Sequence, residues 1–153
     1  MKTELLEIKA SLQIQKPVPE VFEAIVDPKK MSNYFISESS GRMVAGKEVI
    51  WKFPEFEIKF PVRVGKIVKN EYISFRWDIE KRETLVEMQL SSAKGNSTLV
   101  TITEKSMEND EEGIRWLSGN TMGWANFLAC LKAYMEYGIN LRKGAFDFMK
   151  GRF

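Results

Sequence analysis

The sequence predicts an α+β fold: a curved antiparallel sheet of about six to seven strands wrapped around one long C-terminal helix, with two short helices after the first strand. Three observations predict it. First, the segment from Asn109 to Gly138 holds the one long helical periodicity, with Trp124, Phe127, Leu128, Leu131 and Met135 at offsets 0, 3, 4, 7 and 11. Second, period-two alternation fills most of the chain from Gly46 to Glu104. Third, the strands run in series between segregated helices, which is the pattern of an antiparallel sheet. That many strands are too many for a flat sheet under one helix. A curved sheet is the natural solution, and it leaves a space against the helix.

Each element has its own signal. Leu6, Ile8, Ala10, Leu12 and Ile14 alternate with polar residues as a half-buried strand, ended by Pro17 and Pro19. A proline suits the first turn of the next helix, Val18 to Val26, which buries Val21, Phe22 and Ile25. Asp27-Pro28 breaks it, and Lys29 to Asn33 form a second short helix before a polar loop, Ser37 to Gly41. Val49, Trp51 and Phe53 alternate, and Pro54-Glu55 turns the chain. Phe56, Ile58, Phe60, Val62 and Val64 follow as a strand in which Pro61 marks an edge or a bulge. Turns at Asn70-Glu71, Asp78 to Arg82 and Lys94-Gly95-Asn96 separate strands carrying Ile73-Phe75-Trp77, Val86-Met88-Leu90 and Val100-Ile102. Asn109 with Glu112 reads as a capping box for the long helix, Glu111 and Arg115 as an i,i+4 pair, and Gly138 as its left-handed end.

Composition narrows the function classes. The 153 residues are expected to form one domain, residues 1–138, with a C-terminal tail, 139–153. The net charge of +2 is uneven: the tail carries +3, with Arg142, Lys143, Lys150 and Arg152 against Asp147, and the body −1. A near-neutral body without interleaved basic and aromatic residues predicts no nucleic-acid partner. No apolar run is long enough to span a membrane, and the N-terminus has no secretory core, so a cytoplasmic location is expected. The chain has no histidine and one cysteine, Cys130. That removes the commonest general base and the ordinary zinc donor sets, so neither a metal nor a cofactor is expected. No phosphate-cradling glycine loop is present.

Taken together, these segments resemble a known group. Pro17-Val18-Pro19-Glu20-Val21-Phe22-Glu23-Ala24-Ile25-Val26-Asp27-Pro28 is similar to the opening motif of the SRPBCC superfamily of helix-grip folds. Tyr34-Phe35, Gly65-Lys66-Ile67 with Ile73 to Trp77, Thr98 to Glu104, and Gly123-Trp124 with Leu128, Leu131 and Tyr134 follow in the family's order. The superfamily includes START lipid-transfer domains, polyketide cyclases and the birch-pollen-allergen family. The nearest likeness is to the branch named after the C-terminal domain of the activator of heat-shock protein 90 ATPase. The resemblance implies an apolar cavity between sheet and long helix, and binding of a lipid, polyketide or flavonoid-like molecule.

The candidate ligand-binding residues are therefore Trp51, Phe53, Phe75, Trp77 and Met88 on the strands, with Asn120, Trp124, Phe127, Leu128 and Leu131 on the helix. An aromatic and methionine-rich wall suits flat hydrophobic ligands. Asn120 stands one turn before Trp124, where its amide would orient a carbonyl or hydroxyl of the ligand. The alternative for the apolar residues is plain core. Among the carboxylates, Glu57 and Glu87 fall out of phase with their apolar neighbours and are expected to face solvent; Asp78 and Glu104 lie in or beside strands. No catalysis is expected. The alternatives are a cyclase- or hydrolase-type enzyme using a cavity carboxylate, Asn or Tyr, and a chaperone-interaction module. Leu141, Phe146, Phe148, Met149 and Phe153 make the tail too apolar to be free, so it is expected to dock on the body or to form a homodimer contact.

Overall fold

The computed structural model describes residues 4–79 and 81–151. The chain runs β1 (Leu6–Ile14), α1 (Val18–Val26), α2 (Pro28–Met31), β2 (Glu38–Ser39), β3 (Glu48–Lys52), β4 (Lys59–Val68), β5 (Tyr72–Ile79), β6 (Arg82–Ala93), β7 (Ser97–Met107) and α3 (Glu111–Tyr137). A short 3-10 turn, Asp147–Met149, follows in the tail. The strands form one seven-stranded antiparallel sheet in the order β1-β7-β6-β5-β4-β3-β2. This is the expected α+β architecture, a curved sheet against one long helix.

Alternation builds the core. The inward positions of the strands bury Ile8, Val62, Val64, Ile73, Phe75, Val86, Met88, Val100 and Ile102 against Trp124, Phe127, Leu128 and Leu131 of α3. The short helices close one end, with Val21, Phe22 and Ile25 buried as expected. Tyr34 is buried completely among rings, and its hydroxyl donates to the Ala24 carbonyl at 2.8 Å. Burial pushes that phenol well above its ordinary value.

Three local expectations are corrected and a fourth is met. The cap of α3 is Asp110, whose side chain accepts from the Gly113 N–H at 2.8 Å, one residue later than Asn109. Gly113 is buried, and a Cβ there would stand 1.8 Å from the Glu108 carbonyl oxygen, so the close approach of the preceding strand end fixes where the helix starts. Glu111 and Arg115 form no ion pair among the described residues; Glu112 instead faces Arg82 at 3.9 Å. Residues 54–58 are turn and bend, not strand: the Phe56 N–H bonds back to the Phe53 carbonyl, and β4 starts at Lys59. Pro61 meets the edge expectation: it pairs opposite Ile50 on one side only, in the part of β4 before its register with β5 begins at Arg63. The irregularity in β4 lies between Val64 and Ile67. Gly138 ends α3 at φ 67°, with its own N–H and that of Ile139 returning to the Tyr134 and Ala133 carbonyls. Of the expected loop and tail residues, Glu80, Arg152 and Phe153 lie outside the described residues.

Candidate functional site

Period two continues past Ile102, so the next inward position on β7 is Glu104. It is 0% exposed. One carboxylate oxygen accepts from Trp77 Nε1 on β5 at 2.9 Å and from Thr84 Oγ1 on β6 at 2.6 Å. The other accepts from Trp124 Nε1 at 2.8 Å and Asn120 Nδ2 at 3.1 Å, both on α3. Three strands and the helix are thus tied to one side chain. All four partners are neutral donors, and the two indoles can only donate. A buried carboxylate without a cation is tolerable only when its acceptor positions are filled in this way.

Above Glu104 lies an open cleft of about 330 Å³. Trp77, Asn120 and Trp124 form its floor; Phe35, Phe53, Phe56 and Phe60 form one side. The helix contributes Gly119, Met122, Gly123 and Asn126, and the tail contributes Arg142, Phe146 and Met149. The volume is at the small end of roughly 300–1,000 Å³ for ligand pockets. The two glycines matter most. They lie one turn apart inside α3, where glycine costs roughly 0.5–1 kcal/mol relative to alanine. Neither has positive φ, and a Cβ at either meets nothing within 4 Å. Neither backbone geometry nor core packing requires them, and both line the helix wall of the cleft. Met122 beside them is 59% exposed.

The tail closes the far side. Arg142 makes a two-pronged bond to Glu55, at 2.7 and 3.3 Å, with the side chains only 14% and 3% exposed. Its guanidinium lies 5.6, 5.3 and 4.8 Å from the ring centres of Phe35, Phe53 and Phe146. The planar cation is held by a carboxylate at its edge and rings on its faces.

Of the ten sequence-predicted site residues, Phe53, Trp77, Asn120 and Trp124 line the cleft. Trp51, Phe75, Met88, Phe127, Leu128 and Leu131 are packed in the core beneath it and line none of its surface. Their rings pack closely: Trp51 and Phe75 stand 5.4 Å apart edge to face, and Phe127 stands 4.7 Å from Phe35 of the cleft wall. The space between sheet and helix is filled at its centre, and the cleft opens toward the tail. Glu87 is on the outer face as expected, hydrogen-bonded by Tyr72 and paired with Lys105. Cys130 is buried, and that burial pushes its thiol up, away from the reactive thiolate. The sequence places Glu104 in or beside a strand, Glu55 in a turn and Gly123 in a motif, and assigns none of them to the site. The phase of Glu104 with Val100 and Ile102 was the available signal for the first.

Among the described residues no helix is long and apolar enough to cross a membrane, and no three His, Cys, Asp or Glu side chains cluster as metal donors. No curated protein matches the chain in sequence. Solved structures do. A Staphylococcus saprophyticus protein, SSP2350, is 30% identical, with a TM-score of 0.80 over 90% of this chain and 96% of its own. The Aha1 dimer from Colwellia psychrerythraea is 20% identical, with a TM-score of 0.75 over 87% and 98%. DynU16, described as a protein in the dynemicin biosynthetic locus, is 22% identical, with a TM-score of 0.77 over 87% of this chain and 48% of its own. The family model described as Activator of Hsp90 ATPase homolog 1-like protein matches residues 15–136, which run from just before α1 to the last turn of α3, and the chain belongs to that family.

Proposed function

We propose that the protein binds a small, flat, hydrophobic molecule in the cleft between Phe53, Trp77, Trp124 and the tail, without transforming it. The observation that carries this reading is the glycine pair, Gly119 and Gly123, which keeps open a concave aromatic wall at a cost to helix stability. Two further facts support it. Members of this fold commonly bind hydrophobic ligands, and one structural neighbour comes from a biosynthetic locus for a small molecule. The state of Glu104 supports binding over catalysis. Each oxygen already accepts two hydrogen bonds, and no surface of the side chain is open to a substrate.

The test is a thermal-shift screen of flat aromatic, polyketide-like and lipid molecules. At concentrations well above Kd, a true ligand raises Tm by mass action, by about 2.7 kcal/mol of added stability at a hundredfold excess over Kd. No stabilisation by any class contradicts the reading.

A second reading concerns protein partners. Ile139, Leu141 and Phe148 are exposed on the outer side of the tail while Arg142 and Phe146 turn inward. That surface supports contact with a second copy or with a chaperone. Sedimentation of the protein alone and with a chaperone, compared with Leu141→Ser, tests it; a monomer that recruits neither partner contradicts it.

A further inference from the structure

The sequence leaves open whether Asn120 would orient a carbonyl or a hydroxyl; its surroundings decide. Glu104 Oε1 stands 3.1 Å from the Asn120 amide. A carboxylate oxygen accepts, so the amide must turn its NH2 toward Glu104; the opposite flip would set two acceptors face to face. The amide oxygen is thereby aimed away from the buried carboxylate. It takes no hydrogen bond among the described residues, and it is not sealed from solvent: Trp116 Nε1 is the single buried side-chain polar atom there without a partner. Asn120 lines the cleft, and its oxygen, turned from Glu104 and not sealed from solvent, is open to a donor from outside the fold.

The other polar groups of the cleft are few. Asp78 presents a carboxylate, 3.3 Å from Arg63. Arg142, the one cation in the wall, already donates to Glu55. Asn126 makes no side-chain hydrogen bond among the described residues and can turn either way. The wall is thus aromatic, with the Asn120 oxygen as its oriented acceptor, while Arg142 keeps the N–H groups that Glu55 does not take.

We propose that Asn120 selects its ligand by its amide oxygen, so that the molecule bound in the cleft carries a hydroxyl or N–H donor on a flat apolar body, as a phenol does. This rests on the reading of the cleft as a ligand site. Glu104 acts here as a positioning residue: it holds the amide in one orientation and touches no ligand itself.

A matched pair of probes tests it. 2-Naphthol and 2-methoxynaphthalene share a ring system and differ in the donor. Titration calorimetry on the unaltered protein is expected to give 2-naphthol a Kd about fivefold lower, as one net hydrogen bond supplies. Asn120→Leu is expected to erase that preference while leaving the methoxy probe within about twofold. Equal affinity of the two probes for the unaltered protein overturns the donor requirement and leaves the cleft a ligand site. A preference that survives in folded Asn120→Leu overturns the assignment to Asn120. Absence of binding by both probes and by every class in the thermal-shift screen overturns the ligand site and the donor requirement together. Because the probe pair is run on the unaltered protein, the test of the donor requirement does not depend on whether the variant folds.

Discussion

At the scale of single residues, Glu104 carries the most structural consequence. Its two oxygens satisfy two indole N–H groups, a hydroxyl and an amide that would otherwise be buried or half-buried without partners. Glu104→Gln keeps the shape but points an NH2 at donors. It is expected to lower stability by roughly 1–3 kcal/mol, read in a urea titration, because a buried polar group left unmatched costs that much. Glu87 supplies a pH dependence. The Tyr72 hydroxyl, and then Lys105, hold its carboxyl below the ordinary value of 4.5. A folded value below the unfolded one means stability is present above the unfolded value and lost as pH falls through the folded one. Tyr72→Phe is therefore expected to destabilise by about 1 kcal/mol near neutral pH. Between 4.5 and the lower folded value of Glu87 that difference shrinks; a gap independent of pH contradicts the assignment. The inward carboxylate was legible, because counting by twos from Val100 and Ile102 reaches Glu104. The Glu55–Arg142 pair was not, since it joins residues 87 apart and neither carries a local signal.

At the scale of elements, the strands followed their alternation and the long helix its stripe, because both periods are imposed by burial on one face. The errors fell where local chemistry competes. Asn109 and Asp110 are both good caps, and the choice between them is made by Glu108, whose carbonyl leaves no room for a side chain at position 113. Gly113→Ala is expected to destabilise by roughly 2 kcal/mol or more, from a clash with backbone that cannot rotate away. Circular dichroism melts check this; a neutral result would mean that the first turn of α3 shifts freely. Phe56 and Ile58 read as strand from their alternation, but the tight turn closed on Phe53 uses those residues and delivers Phe56 to the cleft. The glycines of α3 were visible in the sequence. Their meaning was not, since it depends on what stands opposite them.

At the scale of the whole molecule, the tail links the open end of the sheet to the cleft. Arg142 is the clasp, and Glu55 is nearly sealed beneath it. Removing one partner leaves the other charged and poorly solvated. Arg142→Ala is expected to cost about 3 kcal/mol and to weaken ligand binding, while the double variant Glu55→Gln with Arg142→Met recovers most of the stability. Urea titration of the single and double variants checks it; additive losses contradict a coupled pair. The architecture was legible because every element obeys one hydrophobic pattern. The partition of the aromatics into core and cleft was not, because it depends on curvature and on where the tail lies. Trp51 and Phe75 are as aromatic as Trp77 and Trp124, yet only the latter pair reaches the opening.

The central claim is that Gly119 and Gly123 exist to leave room. Gly123→Leu tests it most directly, with Tm and ligand affinity measured on the same sample. The side chain would enter the open space of the cleft and add helix propensity, so the account predicts a variant more stable by roughly 0.5–1 kcal/mol that has lost tenfold or more of its affinity. A variant that binds as tightly as the unaltered protein would contradict it.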